Sequence, residues 1–328
     1  MEKRINTFDI AKGIGIISII IGHLGISQIN QIVFTYHVPL FFIISGYFFK
    51  PTDAKHLITK KTKQLLIPYI ITCIAICSGS MLLCLFRGNP FTAELKSWLI
   101  ASLYGAGDAW EWPFHVRAIG AIWFLWALFW GFLIANYSLK KETGIIWAIS
   151  LAYLGIISSN IIWLPLSIQA GCTASLYILL GYGARKYGLF PIKKGPHLFI
   201  SVLVWIWSIQ NFQGFWLVHN YFGNGILDFL GSLCAVYVVI YLSECIETLS
   251  SKVSCFFKFL GTNSLYILCF HIFELNLFPW YIIHQYIENA GCHGIFGLLV
   301  IIIMKLLFAS FGIMVIKLIA CFSHHYSN

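Results

Sequence analysis

Long apolar runs, separated by short polar ones, decide what this chain can fold into. A helix that crosses bilayer hydrocarbon needs about 20 mostly apolar residues. Ten stretches approach that length: 10–29, 33–49, 65–87, 118–137, 144–161, 173–188, 197–211, 225–243, 263–284 and 294–319. Of the 328 residues, 59% are hydrophobic and 10% are charged, where a soluble domain carries about 25% charged residues. The expectation is an all-α, polytopic integral membrane protein with about ten transmembrane helices, forming one domain over residues 1–328. No repeat, low-complexity tract or separate soluble domain stands out. The first run follows Lys3 and Arg4, as a signal peptide would. It is long, however, lacks a small-residue cleavage site and contains Lys12 and His23, so a retained span is expected.

The charges test that count. With the N-terminus inside, sixteen Lys and Arg residues fall on inner segments, and only Arg87, Lys96 and Arg117 fall on outer ones. This asymmetry follows the positive-inside rule and predicts cytoplasmic N- and C-termini in a plasma or inner membrane. The net charge of +9 is then topological and calls for no nucleic acid. The ten cysteines include no C-x-x-C and mostly sit in apolar runs, as small buried hydrophobes do. Cys172 and Cys292 fall in expected outer loops and are the pair that could form a disulfide.

Ionisable groups inside spans are the informative exceptions, because each costs roughly 2.5–3.5 kcal/mol at a helix centre. They are Lys12, His23, His37, His271, Glu274 and Lys305. Residues 12 and 23 are about three helical turns apart, hence on one face and ~16 Å apart along the axis. Asp9 joins that face. Gly13, Gly15, Ser18 and Gly22 keep the helix slim enough for close neighbours. His37 lies beyond a hairpin tip near Asn30, at a depth similar to that of His23. Pro39 is expected to break the second span and free carbonyls beside a cavity. His271 and Glu274, three apart, share a helix face, and Glu274 could orient a histidine or pair with Lys305. Each residue alone has an ordinary explanation: Lys12 could snorkel and pair with Asp9, and a membrane histidine often serves a structural hydrogen bond. Together they point to a reactive or transport site without naming the reaction.

Two expected outer loops are rich in aromatic and polar groups. The first holds Asp108, Trp110, Glu111, Trp112, His115 and Arg117, and the second reads "NFQGFWLVHNYFGNG". Both could bind a sugar, although Trp and Tyr collect at any membrane interface. "ELKSWLIASLY" fits an interfacial amphipathic helix covering the site.

The stretches "DIAKGIGIISIIIGH", "HVPLFFIISGYFF", "KKTKQLLIPY", "IWFLWALF" and "NSLYILCFH" together resemble the acyltransferase-3 family of bacterial membrane acyltransferases. They look most like its sugar O-acetyltransferase branch, which includes enzymes acting on fucose. The family's first-span motif is Arg, ten residues, His; here it is Lys12, ten residues, His23. Lysine keeps the charge but loses the planar fork that grips phosphate in two places.

The resemblance implies transfer of acetyl from cytosolic acetyl-CoA, with no permanently bound cofactor and no metal expected. The implied acceptor is a hydroxyl of an extracytoplasmic sugar, lipid-linked or polymeric, in the cell envelope or an exopolysaccharide. Lys12, Lys60, Lys61 and Lys63 would meet the coenzyme's phosphates. His23 would be the general base, since an imidazole titrates near pH 6.5. No Ser or Cys nucleophile is required. His37, His271 and Glu274 would support the site, and Asp108, Trp110, Glu111, Trp112 and His115 would hold the acceptor. Two alternatives stay open. One is a small-molecule or acyl-group exporter using the His and Lys groups, for which inverted repeats would speak and none is found. The other is an acyltransferase whose acceptor is an amine, an antibiotic or a lipid headgroup.

Overall fold

The computed structural model describes residues 6–88, 90–111, 114–192, 195–249 and 251–325. Among the described residues the regular structure is helical apart from one two-stranded hairpin, β1 (Phe215–Trp216) and β2 (Tyr221–Phe222), paired antiparallel, and an isolated bridge between Trp110 and Val116. Each of the ten expected spans coincides with a helix. In chain order these are α1 (Asn6–Gly22), the broken pair α2 (Ser27–Val33) and α3 (His37–Tyr47), α5 (Ile67–Arg87), α7 (Trp123–Ser138) and α8 (Gly144–Ser159). They continue with α9 (Ile168–Lys186), α10 (Pro196–Gln210), α11 (Ile226–Leu249), α13 (Ser264–Leu277) and α15 (Gly294–His325). Between them lie α4 (Ala54–Lys61), α6 (Phe91–Tyr104), α12 (Ser251–Thr262) and α14 (Trp280–Asn289). Among the described residues, four helical stretches are long and apolar enough to cross a bilayer on their own, or five if the bent pair α12–α13 counts as one span.

Several boundaries differ from the sequence expectation. The second span breaks at residues 34–36, ahead of Pro39. That proline sits in the first turn of α3, where a missing N–H costs nothing. Side chains hold the break: Trp205 Nε1 donates to Thr35 Oγ1 at 2.8 Å, Thr35 Oγ1 donates to the Ile32 carbonyl at 2.6 Å, and Tyr36 bonds Ser18 across to α1 at 2.7 Å. The ninth span ends at Leu277 rather than residue 284, because Pro279 cannot continue a helix and a separate helix, α14, begins at Trp280. Cys172 and Cys292 are both free thiols, Cys172 lying within α9, so the disulfide considered for them is absent.

Small residues set the closest crossings, as the first span's glycines suggested. A Cβ on Gly13 would stand 2.2 Å from the Phe257 carbonyl oxygen, and one on Gly261 would stand 1.7 Å from that of Asp9. Helices α1 and α12 therefore touch backbone to backbone. Gly46 and Gly181 do the same for α3 and α9, with Cβ positions 2.1 and 2.0 Å from the carbonyl oxygens of Ile178 and Ile43. Packing of this kind drives association where lipid removes the hydrophobic force between helices. A single core cluster runs through α1, α3, α5, α7, α9, α11 and α13.

Candidate active site

Two cavities lie along the same four helices, α1, α3, α7 and α13. One, of about 810 Å³, is lined by Lys12, Ile44, Ser45, Leu128, Phe132, Leu265 and Tyr266 of those helices, and by the segment from Phe48 to Pro68. The other, of about 310 Å³, takes Ile19 and His23, then His37, Val38 and Phe41, then Trp123 and Phe124, and finally Leu268. So α1 and α13 run from the first cavity toward the second, and α3 and α7 run back. No residue lines both. Phe41 and Phe124, 5.9 Å between ring centroids, wall the second cavity one turn from Ile44 and Leu128 of the first.

The larger cavity gathers all four expected donor lysines, Lys12, Lys60, Lys61 and Lys63, and adds Lys50 and Gln64. Local sequence explains the grouping. Asp53 caps α4 by accepting from the Lys55 and His56 amides at 2.9 and 3.4 Å. Asn136 clasps the Thr52 backbone with two hydrogen bonds of 3.0 Å, which fixes the turn after Lys50. From Thr62 to Leu66 the helix is π-wound, a form found mostly as short bulges at functional sites. Lys61 Nζ sits 3.5 Å from the centroid of the Phe132 ring. Lys12 is ion-paired with Asp9 at 2.7 Å and lines the cavity as well, so the ordinary and the functional readings of this lysine coexist. Lys50 is not among the expected donor residues, since in sequence it is one more inner-segment charge; its place just before Pro51 and the basic run is the available signal.

The smaller cavity holds the histidines. His23 caps the end of α1, and its Nδ1 lies 2.8 Å from the Ile19 carbonyl four residues back. His37 repeats the pattern from α3, with Nδ1 2.7 Å from the Val33 carbonyl. A carbonyl only accepts, so each Nδ1 carries the hydrogen and each Nε2 keeps its lone pair, an assignment made from the partners. Behind His23 lies a buried chain: His271 Nε2 is 3.4 Å from His23 Nδ1, and His271 Nδ1 is 2.7 Å from Glu274 Oε1. His271 and Glu274 are both 0% exposed and do not reach the cavity, so they act, if at all, through His23. The expected pairing of Glu274 with Lys305 is present, at 2.9 Å.

The expected acceptor set is only partly brought together. Asp108 lines the cavity and accepts from His219 Nε2 at 3.1 Å, a hydrogen bond that holds its carboxyl below the usual carboxylate range. Trp110 packs on Trp163 and His219, with centroids 5.2 and 5.8 Å away. Glu111 and His115 pair with each other at 2.9 Å, their side chains 79% and 61% exposed, away from the cavity. Trp112 lies outside the described residues. Arg117 binds Glu94 of α6 at 2.6 Å and covers the Trp98 ring at 4.0 Å. Helix α6 thus braces the loop against α5 and contributes nothing to the cavity lining. The second loop supplies what the first does not: Phe215, Trp216, Leu217 and Val218 of the hairpin line the cavity. Trp216 stacks on Tyr221 at 5.6 Å. Asn220 anchors the hairpin to α9, accepting from Thr173 Oγ1 at 2.6 Å.

The site thus combines a cavity-facing imidazole, whose free lone pair can accept a proton, with a buried histidine–carboxylate–lysine chain behind it, and a lysine-lined cavity lies further along the same helices. A family model described as an acyltransferase domain matches residues 5–320. The chain belongs to the acyltransferase-3 family of multi-pass membrane enzymes. It is similar to Nodulation protein NolL of Sinorhizobium fredii (strain NBRC 101917 / NGR234), at 29% identity over 151 residues that cover 41% of this chain and 37% of that protein. It is also similar to Nodulation protein NolL of Mesorhizobium japonicum (strain LMG 29417 / CECT 9101 / MAFF 303099), at 27% identity over 171 residues, covering 47% of this chain and 41% of that protein. These matches thus span about two fifths of the length of the curated relatives. No solved structure matches.

Proposed function

We propose that the protein transfers acetyl from cytosolic acetyl-CoA to a hydroxyl of a cell-envelope or exopolysaccharide sugar. The observation that carries this reading is the pair of cavities at successive levels along the same four helices, five lysines lining one and two histidines the other. The lysine-lined end contains the 50–64 segment, which the charge asymmetry assigns to the cytoplasm. The histidine end contains the loops assigned to the outside.

A coenzyme with three phosphate groups docks among Lys12, Lys50, Lys60, Lys61 and Lys63, where charge-assisted hydrogen bonds hold it. Its thioester arm extends past Phe41 and Phe124 toward His23, a path comparable to the ~16 Å separating residues 12 and 23 on an α-helix. The acceptor hydroxyl enters from the outer cavity, oriented by Asp108, Trp216 and His37. His23 Nε2 takes the hydroxyl proton as the oxygen attacks the acyl carbon. The carbon–oxygen bond forms, the carbon–sulfur bond breaks, and the electron pair leaves on sulfur, which recovers the proton from His23. His271 and Glu274 keep the His23 ring oriented.

The test is release of free coenzyme A from acetyl-CoA, stimulated by candidate sugars, in proteoliposomes. His23→Gln should reduce turnover by about 10²–10⁴-fold, the usual worth of a general base. Sugar-independent binding with no transfer to any acceptor would argue for an exporter instead. Transfer to amines or lipid headgroups, but to no sugar, would overturn the acceptor class alone.

A further inference from the structure

Lys305 takes no part in the reaction just described, yet it is 3% exposed in the long apolar helix α15. Its Nζ donates to both Glu274 carboxylate oxygens, at 2.9 and 3.0 Å. It also lies 3.6 Å from the centroid of the Trp280 ring, whose Nε1 donates to the Glu274 backbone carbonyl at 3.3 Å. Buried ion pairs add little stability over apolar residues of the same volume, so stability alone is a poor reason for this one.

We propose that Lys305 is a positioning residue that sets the direction of every hydrogen bond between α15 and the outer cavity, and so keeps the His23 lone pair on the acceptor side. This rests on the acyltransferase reading with His23 as base. A carboxylate only accepts hydrogen bonds. While Lys305 holds Glu274 charged, the His271 Nδ1 facing Glu274 Oε1 at 2.7 Å must carry the hydrogen. His271 Nε2 is then an acceptor. His23 Nδ1 faces two acceptors, the Ile19 carbonyl at 2.8 Å and His271 Nε2 at 3.4 Å. Its hydrogen stays on Nδ1, and the basic nitrogen is Nε2.

Without the lysine the order inverts. A carboxylate left unpaired in an apolar interior takes up a proton. A protonated Glu274 can donate to His271 Nδ1, which moves the His271 hydrogen to Nε2. That donor then faces His23 Nδ1 and favours the opposite His23 tautomer, with the lone pair turned inward and no base in the cavity. The charge on α15 thus reaches the cavity through three hydrogen bonds, without touching a substrate.

The experiment compares wild type with Lys305→Met and with two neutral pairs, Lys305→Met/Glu274→Gln and Lys305→Met/Glu274→Leu. The neutral pairs leave no unpaired buried charge, so they serve even where Lys305→Met fails to fold. Only the glutamine pair keeps an oxygen that can accept from His271. The readouts are kcat, acetyl-CoA affinity, and the ring-nitrogen resonances of 15N-labelled His23. Lys305→Met should lower kcat by about 10–100-fold, by analogy with removing the partner that orients a metal-bound histidine, with acetyl-CoA affinity unchanged. In wild type the hydrogen should sit on Nδ1 of His23, and in Lys305→Met on Nε2. The glutamine pair should turn over faster than the leucine pair. Wild-type turnover in folded Lys305→Met, or equal turnover in the two neutral pairs, would overturn the proposal while leaving the acyltransferase reading intact. A wild type that transfers no acetyl group would overturn that reading, and this inference with it.

Discussion

His23 and His37 use one device. Each ring spends Nδ1 on the carbonyl four residues back, at 2.8 and 2.7 Å; for His37 this local contact sets the tautomer, and for His23 it acts together with His271 Nε2. The eleven-residue spacing relates Lys12 to His23 along one helix, and the structure has Lys12 lining one cavity and His23 the other, beside His37 from α3. Sequence spacing could not rank the acceptor candidates. Asp108 and Glu111 are the same kind of residue three positions apart, yet one lines the cavity and the other points to solvent beside His115. That choice depends on the hairpin from a loop a hundred residues away. The His219 hydrogen bond depresses the Asp108 carboxyl, so the charged contact exists above the ordinary aspartate value near 3.9. It is lost only as pH falls through the lower folded value. Asp108→Asn should therefore raise the acceptor KM while leaving the shape of the pH–rate profile between about pH 5 and 8 unchanged, as steady-state kinetics across that range would show.

Helices follow the apolar runs closely, and their ends do not. The runs mark where backbone must be satisfied internally in lipid, which is why every expected span has a helix. The break at residues 34–36 was misplaced because it is held by Trp205 and Ser18 from other helices, which no local pattern encodes. The π-wound turn at Thr62–Leu66 is likewise invisible in composition, although its Lys63 is legible as part of a cluster with Lys60 and Lys61 at the end of α4. Glycine carries the closest contacts. Gly261→Val would force branched carbons into the space 1.7 Å from the Asp9 carbonyl oxygen. Overpacking a core usually costs about 1–3 kcal/mol, and with rigid backbone as the obstacle the effect should reach or exceed the top of that range. A thermal melt in detergent should show a large drop for Gly261→Val and no drop, or a small rise, for Gly183→Ala, which lies inside α9 with nothing within 4 Å of the Cβ position and gains helix propensity.

Across the whole molecule, the alternation of lysine-rich and lysine-poor loops predicts which segments share a side of the membrane. The structure brings Lys50 through Lys63 to one end, and the loops around Asp108 and Trp216 to the other. What the charges could not reveal is the aromatic lining of the smaller cavity, where Phe41 and Phe124 meet from helices more than eighty residues apart. The proposed function gives the two cavities different tasks, donor binding in the lysine-lined one and proton removal in the histidine-lined one. The most direct measurement is acetyl-CoA affinity of purified protein in detergent, for wild type, a Lys12→Ala/Lys63→Ala double variant and His23→Ala. The account predicts that wild type binds, that the double variant binds at least about tenfold more weakly after losing charge-assisted phosphate contacts, and that His23→Ala binds like wild type without transferring acetyl. Folded wild type that binds no acyl-CoA, or binding lost in His23→Ala and kept in the lysine variant, would contradict it.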